Sequence, residues 1–277
     1  MPSNAETRYL RFCTSTEATP RWGVRRSADS VEVLSGAPWL EVTRATGRRE
    51  PFADLTLLAP AEPTKILALA YNYKSLFADP TAKANAREPH FSDEGFEPLV
   101  FLKGPNCISG PGQPIAFPAF ASEVWVEVEV TAVLGKRARN LRSAAEAREA
   151  VFGVTVGNDM TALNLLGRDW HLARSKSLDG FCPLGPELVT GFDDSNRRLT
   201  NSINGRQTQG STTRDRVLDT YEAVALLSRL MTLEAGDVIL TGTPAGARQS
   251  LVQPGDRVEM EIEGLGKLWN PIVAEAR

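Results

Sequence analysis

Histidine is almost missing from this 277-residue chain: His90 and His171 are the only two. That is too few for an imidazole-rich zinc centre and enough for at most one histidine-assisted proton transfer. Cysteine is also scarce, and Cys13, Cys107 and Cys182 show no C-x-x-C spacing. This argues against a disulfide framework or a thiolate zinc site and for a reducing compartment. No apolar run is long enough to cross a bilayer, and the start "MPSNAETRYLRFC" has no apolar signal core, so the expected location is the cytoplasm, with no membrane partner. The net charge is −3 and no basic cluster stands out, which argues against a nucleic-acid surface and leaves a small molecule as the expected partner. The chain has no G-x-S-x-G elbow, no G-x-x-x-x-G-K-[ST] phosphate loop and no G-x-G-x-x-G dinucleotide turn. Any catalysis must therefore rest on carboxylates, lysine and backbone.

What is present is an ordinary globular composition, 42% hydrophobic and 23% charged, in a length that suits one large domain or a domain with a small appendage. Residues 7–60 read as short strands and turns, and the Pro-rich "APAEPTK", Ala59 to Lys65, is the candidate boundary. The expected division is a small β-rich region at 1–62 and a larger catalytic unit at 63–277. In the larger unit "ILALAYNY", "PLVFLKGP", "EVWVEVEVTAVLGK" and "FGVTVGNDM" read as strands. "GDVILTGTPAG" and "GDRVEMEIEGLGKLWNPIV" are strands entered through Gly-Asp turns. Ser143 with Glu146 is expected to form a capping box at a helix start, and "TYEAVALLSRLMTL" has helical apolar spacing. Residues 79–97 are long and polar, as in a lid or a disordered insertion. Strands outnumber helices, so the fold class is mostly β with some α, arranged as a mixed sheet or closed roll.

The run "VWVEVEVTAVLG", Val124 to Gly135, is the most informative. Side chains alternate along a strand, so Glu127 and Glu129 share a face with Trp125, Thr131 and Val133, while Val124, Val126, Val128 and Val130 share the other. Two like charges roughly 6.5 Å apart repel unless water or a cation neutralises them. Either that face is solvated, or it helps hold a divalent ion with a third oxygen ligand from elsewhere. Asp159, at the polar end of a valine-rich strand, is a reasonable third ligand, though an Asp there also closes turns. Three carboxylates without His or Cys would suit Mg²⁺ or Mn²⁺. Lys176, in "RSKSLDGFCPLGP", reads as a surface lysine or a site cation. "TGTPAG", Thr241 to Gly246, reads as a plain turn or a place of close ligand approach.

Together these strings resemble the fumarylacetoacetate hydrolase family. The resemblance runs through "KILALAYNY", "PLVFLKGP", "VEVEVTAVLGKRARN", "VGNDMTA", "RSKSLDGFCPLGP", the Asn204-Gly205 turn, "MTLEAGDVILTGTPAG" and "PGDRVEMEIEGLGKLWN". It implies a mixed β-roll core behind a small strand-rich N-terminal region, a homodimer, and Mg²⁺ or Mn²⁺ held by Glu127, Glu129 and Asp159. It also places the family's lysine on Lys176 and its threonine on Thr243. Its glutamine falls on Gln209, in a stretch about one residue shorter than the family pattern. Tyr73, Gln209 and Thr243 are thus expected to bind substrate.

Two departures bear on mechanism. Members that hydrolyse a carbon–carbon bond carry N-Y-x-x-H-x-x-E, whereas this chain reads "NYKSLFAD", with Leu76 at the histidine position and Asp79 at the glutamate position. The arginine of D-x-T-A-R is Leu163. A leucine accepts no proton, so Asp79, or His90 in the 79–97 insertion, is the remaining candidate base, and Lys176 the other catalytic candidate. The first functional expectation is metal-stabilised enolate chemistry on an enolisable 2-oxo acid or 1,3-dicarbonyl. That chemistry is isomerisation, tautomerisation or decarboxylation, as in the hydroxyheptadienedioate isomerases of aromatic catabolism. The alternatives are a C–C hydrolase of the acylpyruvate type and a catalytically silent homologue.

Overall fold

The valine-rich segment that carries the paired acids lies in the middle of the molecule. The computed structural model describes residues 6–78, 90–92, 95–166 and 169–275. In it, Val128–Leu134 pairs antiparallel with Val151–Asn158 on one side and Val238–Leu240 on the other. All three belong to a 12-stranded sheet. Its main path runs Ala45–Pro51, Ser30–Leu34, Glu17–Arg25, Thr7–Thr14, Cys182–Thr190, Val151–Asn158, Val128–Leu134, Val238–Leu240, Ile66–Ala70, Leu99–Lys103. A second sheet orders Ile115–Phe117, Gly266–Ala274, Arg257–Ile262, Arg198–Ile203 and Arg206–Thr212. Val130 and Val156 from the first sheet and Leu199, Met260 and Leu268 from the second share one core. Each fully buried aliphatic side chain there stabilises by roughly 1.5–3 kcal/mol. The fold class is the expected one, mostly β with a few helices.

The N-terminal strands extend the same sheet. Thr7 pairs with Thr190 and Tyr9 with Leu188, while Leu10, Phe12, Val31 and Val33 form a small core of their own. Buried Glu187 receives Arg8 at 3.1 Å and Arg25 at 2.8 Å, so charge as well as backbone ties the first strands to the rest. No described helix is long and apolar enough to cross a membrane.

Three local expectations are corrected. The strand expected over 124–135 is two strands, Val124–Trp125 and Val128–Leu134. At the break the Glu127 N–H donates to the Asn158 side chain at 3.1 Å instead of a ladder carbonyl, and Val124–Trp125 turns away to pair with Thr161–Ala162 and Leu251–Val252. The helix starting at Thr220 ends at Leu230, short of Leu233, because Met231 is extended and Leu233 exchanges backbone bonds with Ala138. That helix carries a full capping box, Asp219 with Glu222. At Ser143 only half of the box forms: its hydroxyl accepts from the Glu146 N–H while the Glu146 carboxylate takes the Arg142 N–H. Within the 79–97 insertion, His90–Ser92 and Gly95–Glu97 pair as a short antiparallel hairpin. Asp79 and the His90 side chain lie outside the described residues.

Gly157 lies opposite Glu129 in the central ladder, and a Cβ built there would come 2.1 Å from the Thr131 hydroxyl and 2.9 Å from Leu240. Thr131 and Leu240 are fully buried and cannot retreat. Gly157→Ala is therefore expected to cost about 1–3 kcal/mol by overpacking, seen as a lower denaturant midpoint. An unchanged midpoint would mean the ladder is looser than described.

Candidate active site

The acidic face of the central strand is not solvated. Glu127 is 8% exposed, Glu129 2% and Asp159 1%. Each is fixed by local backbone. Asp159 follows the end of Val151–Asn158, and its N–H donates to the Glu127 carbonyl at 3.0 Å, which draws the strand end against the strand break. The Thr161 hydroxyl donates to Glu127 Oε2 at 3.2 Å. The N–H of Gly242, in the loop after Val238–Leu240, donates to Glu129 Oε2 at 2.6 Å.

Two lysines enter this acidic centre. Lys176, the last residue of the short helix Ala173–Lys176, bridges Glu127 Oε2 at 2.8 Å and Asp159 Oδ2. Its ammonium also lies 4.9 Å from the centre of the Phe101 ring. The helix is set by buried Asp169, which accepts from the Ser175 N–H and hydroxyl. It begins at Leu172, whose φ of +61° is left-handed and costs a leucine roughly 1–2 kcal/mol. Lys103, at the end of Leu99–Lys103, donates to Asp159 Oδ1 at 2.5 Å and to the Phe181 carbonyl at 2.8 Å. Sequence reasoning passed over Lys103. Its one signal was phase: it alternates in step with Phe101, which is buried, and out of step with Leu102, which is exposed.

The electrostatics follow from burial and pairing. Burial pushes Glu127 up, Lys176 opposes that, and Asp159 adds repulsion, leaving it above the usual carboxylate range. Glu129 is held well above that range by burial and by repulsion from Asp159 and Glu127, against a weaker pull from Lys176 and the Gly242 N–H. Burial raises Asp159 too, but Lys103 and Lys176 overcome it and hold it below its ordinary value. Burial works against the Lys176 charge, yet Asp159 and Glu127 outweigh it and keep the ammonium protonated.

The donor set suits a hard divalent cation. Glu129 receives no ammonium among the described ion pairs, so three buried carboxyl groups share two lysines and one acid is left without a cation partner. All donors are oxygens, the chemistry that Mg²⁺ and Mn²⁺ favour. Among the described residues no three His, Cys, Asp or Glu side chains are already arranged as ligands. Lys176 occupies the oxygens of Glu127 and Asp159 that would face such an ion.

The other expected site residues take structural positions in this arrangement. Thr243 donates to the Val128 carbonyl at 3.0 Å. Gln209 donates to Thr243 at 3.1 Å and to the Pro244 carbonyl at 3.0 Å, which ties the second sheet to the Gly242 loop. Tyr73 is fully buried in the main core, with no recorded partner for its hydroxyl, and burial raises its pKa. Asn72 beside it, also missed, donates to the carbonyls of Leu218 at 2.9 Å and Thr241 at 2.8 Å, anchoring the loop that aims Gly242 at Glu129. Leu76 packs against the main core, and Leu163 follows the Thr161–Ala162 strand.

Comparisons with known proteins place this geometry. The model of the fumarylacetoacetate (FAA) hydrolase C-terminal family matches residues 65–273, and that of the Rv2993c-like N-terminal family matches residues 7–60. The chain is 38% identical to Protein Rv2993c of Mycobacterium tuberculosis over 84% of both chains. It is 36% identical to the mitochondrial oxaloacetate tautomerase FAHD2A of Bos taurus, over 80% of this chain and 71% of that one. Among solved structures, a 2-hydroxyhepta-2,4-diene-1,7-dioate isomerase from Mycobacterium marinum superposes with a TM-score of 0.83 at 32% identity, over 98% of this chain and 100% of that one. A maleylpyruvate hydrolase from Sphingobium sp. SYK-6, in complex with manganese(II) and pyruvate, superposes with a TM-score of 0.73 at 26% identity, over 97% and 100%.

Proposed function

The chain belongs to the fumarylacetoacetate hydrolase family, and from that premise we propose that it is a divalent-metal-dependent enzyme acting on an enolisable 2-oxo acid or 1,3-dicarbonyl. The reaction is isomerisation, tautomerisation or decarboxylation, and the small oxo acid and a second copy of the chain are its partners. The observation that carries this reading is the burial of Glu127, Glu129 and Asp159 around one strand break, with Lys176 bridging Glu127 and Asp159 and Glu129 left without an ammonium among the described ion pairs. An isomerase and a tautomerase among the relatives support it.

Glu127, Glu129 and Asp159 would hold Mg²⁺ or Mn²⁺. When bound, that cation supplies Lewis-acid stabilisation of the negative charge that develops on the substrate's oxygens, worth several kcal/mol. The chain's own groups do the rest. Thr161 and the Gly242 N–H orient two of the carboxylates, and burial keeps water from screening them. Lys176, paired with Glu127 and Asp159 in the cluster, offers positive charge to a bound oxo acid. Hydrolysis would need, in addition, a base to activate water, help typically worth about 10²- to 10⁴-fold. Leu76 cannot give it, which is why the proposal stops short of C–C cleavage.

The test is turnover of oxaloacetate by the full-length chain after chelation and after adding Mg²⁺ or Mn²⁺, followed by enol absorbance and CO₂ release. Chelation is expected to silence the protein, and either ion to restore it. Cleavage of an acylpyruvate to acid plus ketone, with no enol or CO₂ chemistry, would favour the hydrolase reading. Turnover that survives chelation would remove the metal from the account.

A further inference from the structure

Asp159 is shared by two lysines that are not equivalent. Lys103 takes Oδ1, has a side chain with 0% exposure, and is anchored a second time on the Phe181 carbonyl. Lys176 takes Oδ2, has a side chain with 8% exposure, and its other carboxylate partner is Glu127, itself one of the three converging acids. An aspartate held this way has one oxygen committed to the interior and one facing the cluster. We infer that Lys103 is a permanent positioning residue that turns Asp159 Oδ2 toward the cation position, and that Lys176 is an exchangeable counterion which a divalent ion displaces from Glu127 and Asp159.

The two lysines thereby divide the labour. Lys103 keeps Asp159 oriented whether or not an ion is present. Lys176, once released from two carboxylates, is the ammonium free to face a bound oxo acid. It stays close, because its helix is fixed through Asp169 and its ammonium lies over the Phe101 ring. The inference rests on the divalent-cation reading given under Proposed function.

Mn²⁺ titration of chelator-treated, full-length protein, read by calorimetry or by the electron paramagnetic resonance of free Mn²⁺, gives the two roles opposite signs. Lys176→Met removes a competitor and is expected to tighten Mn²⁺ by about tenfold or more. Lys103→Met frees Asp159 to turn both oxygens to Lys176 and is expected to weaken Mn²⁺ by about 10- to 100-fold, the usual cost of losing a group that orients a ligand. Lys103→Gln, which keeps a donor for Phe181, should weaken it in the same direction and guards against a Met variant that does not fold. If both lysine deletions tighten Mn²⁺, the cluster is merely Coulombic and the inference fails. It fails too if loss of Lys103 lowers the melting temperature but leaves Mn²⁺ affinity as it was, or if Lys176→Met does not tighten binding. Wild-type protein that takes up no Mn²⁺ overturns the inference and the metal reading together, whereas wild-type uptake with the wrong variant pattern overturns the inference alone.

Discussion

Changing Asp159 to asparagine is expected to lower kcat/KM by at least about 10³-fold and to destabilise the fold by about 3–5 kcal/mol. The first figure is the loss of a Lewis-acid contribution of several kcal/mol, at 1.36 kcal/mol per tenfold. The second is the usual cost of removing one partner from a buried ion pair. Asparagine has nearly the same shape, so the effect is one of charge. Its NH₂ group would point a donor at one of two ammoniums, and the fully buried Lys103 would keep only the Phe181 carbonyl. Exposed Glu123, at the edge of the same segment, is the control, and Glu123→Gln should stay within about 0.5 kcal/mol of the parent. Steady-state kinetics with saturating Mn²⁺ and a denaturant titration of the chelated protein read the two effects separately. An Asp159→Asn protein with parental kcat/KM would show that the ion, if bound, does not need this carboxylate.

The sequence carried the acids further than it carried their surroundings. Glu127 and Glu129 were legible because strand alternation is rigid, and Asp159 because a polar residue ending a valine run has few places to go. What alternation cannot say is whether the second face of a strand is wet. That depends on residues from remote segments: Lys103, Lys176 and the Gly242 N–H reach the cluster from 17 to 113 positions away in the chain. The break at Val126 and Glu127 was hidden for the same reason, since it exists because Asn158, on the neighbouring strand, takes the Glu127 N–H. The overall class was easier to read, because short β-branched runs punctuated by glycine and proline bias every segment alike. The base that hydrolysis would require was sought in Asp79 and His90, and the described side chains include neither.

The other large effect is expected far from the acids. Asp237 is fully buried, and its carboxylate gathers the segments that lead into the parallel strand pair. Its Oδ1 accepts from the Thr64 N–H at 3.0 Å, the Thr64 hydroxyl at 2.7 Å and the Lys65 N–H at 3.2 Å, while Oδ2 accepts from the Glu234 N–H at 2.8 Å and from the Lys65 ammonium. These bonds fasten the Pro-rich boundary segment to the start of the parallel pair Val238–Leu240 and Ile66–Ala70. Asp237→Ala strands several donors at once, each costing about 1–3 kcal/mol if it stays dry. The Lys65 ammonium, with a side chain 23% exposed, can turn to water. A net loss of about 3–5 kcal/mol is expected, a fall in Tm on the order of 10 °C for a chain of this size. Asp237→Asn should lose less, because its remaining oxygen can keep the Thr64 and Lys65 bonds. Below the lowered transition the site should still assemble. Leu240 remains paired with Thr131 on one side and Ala68 on the other, and the following Thr241, Gly242 and Thr243 are held by Asn72, Glu129 and Gln209 in turn rather than by Asp237. Stability and turnover should therefore separate in this variant, whereas at Asp159 they fall together. An Asp237→Ala protein that is folded at 25 °C by circular dichroism yet has lost its turnover would show that the parallel pair, and not the loop's own bonds, sets the position of Gly242.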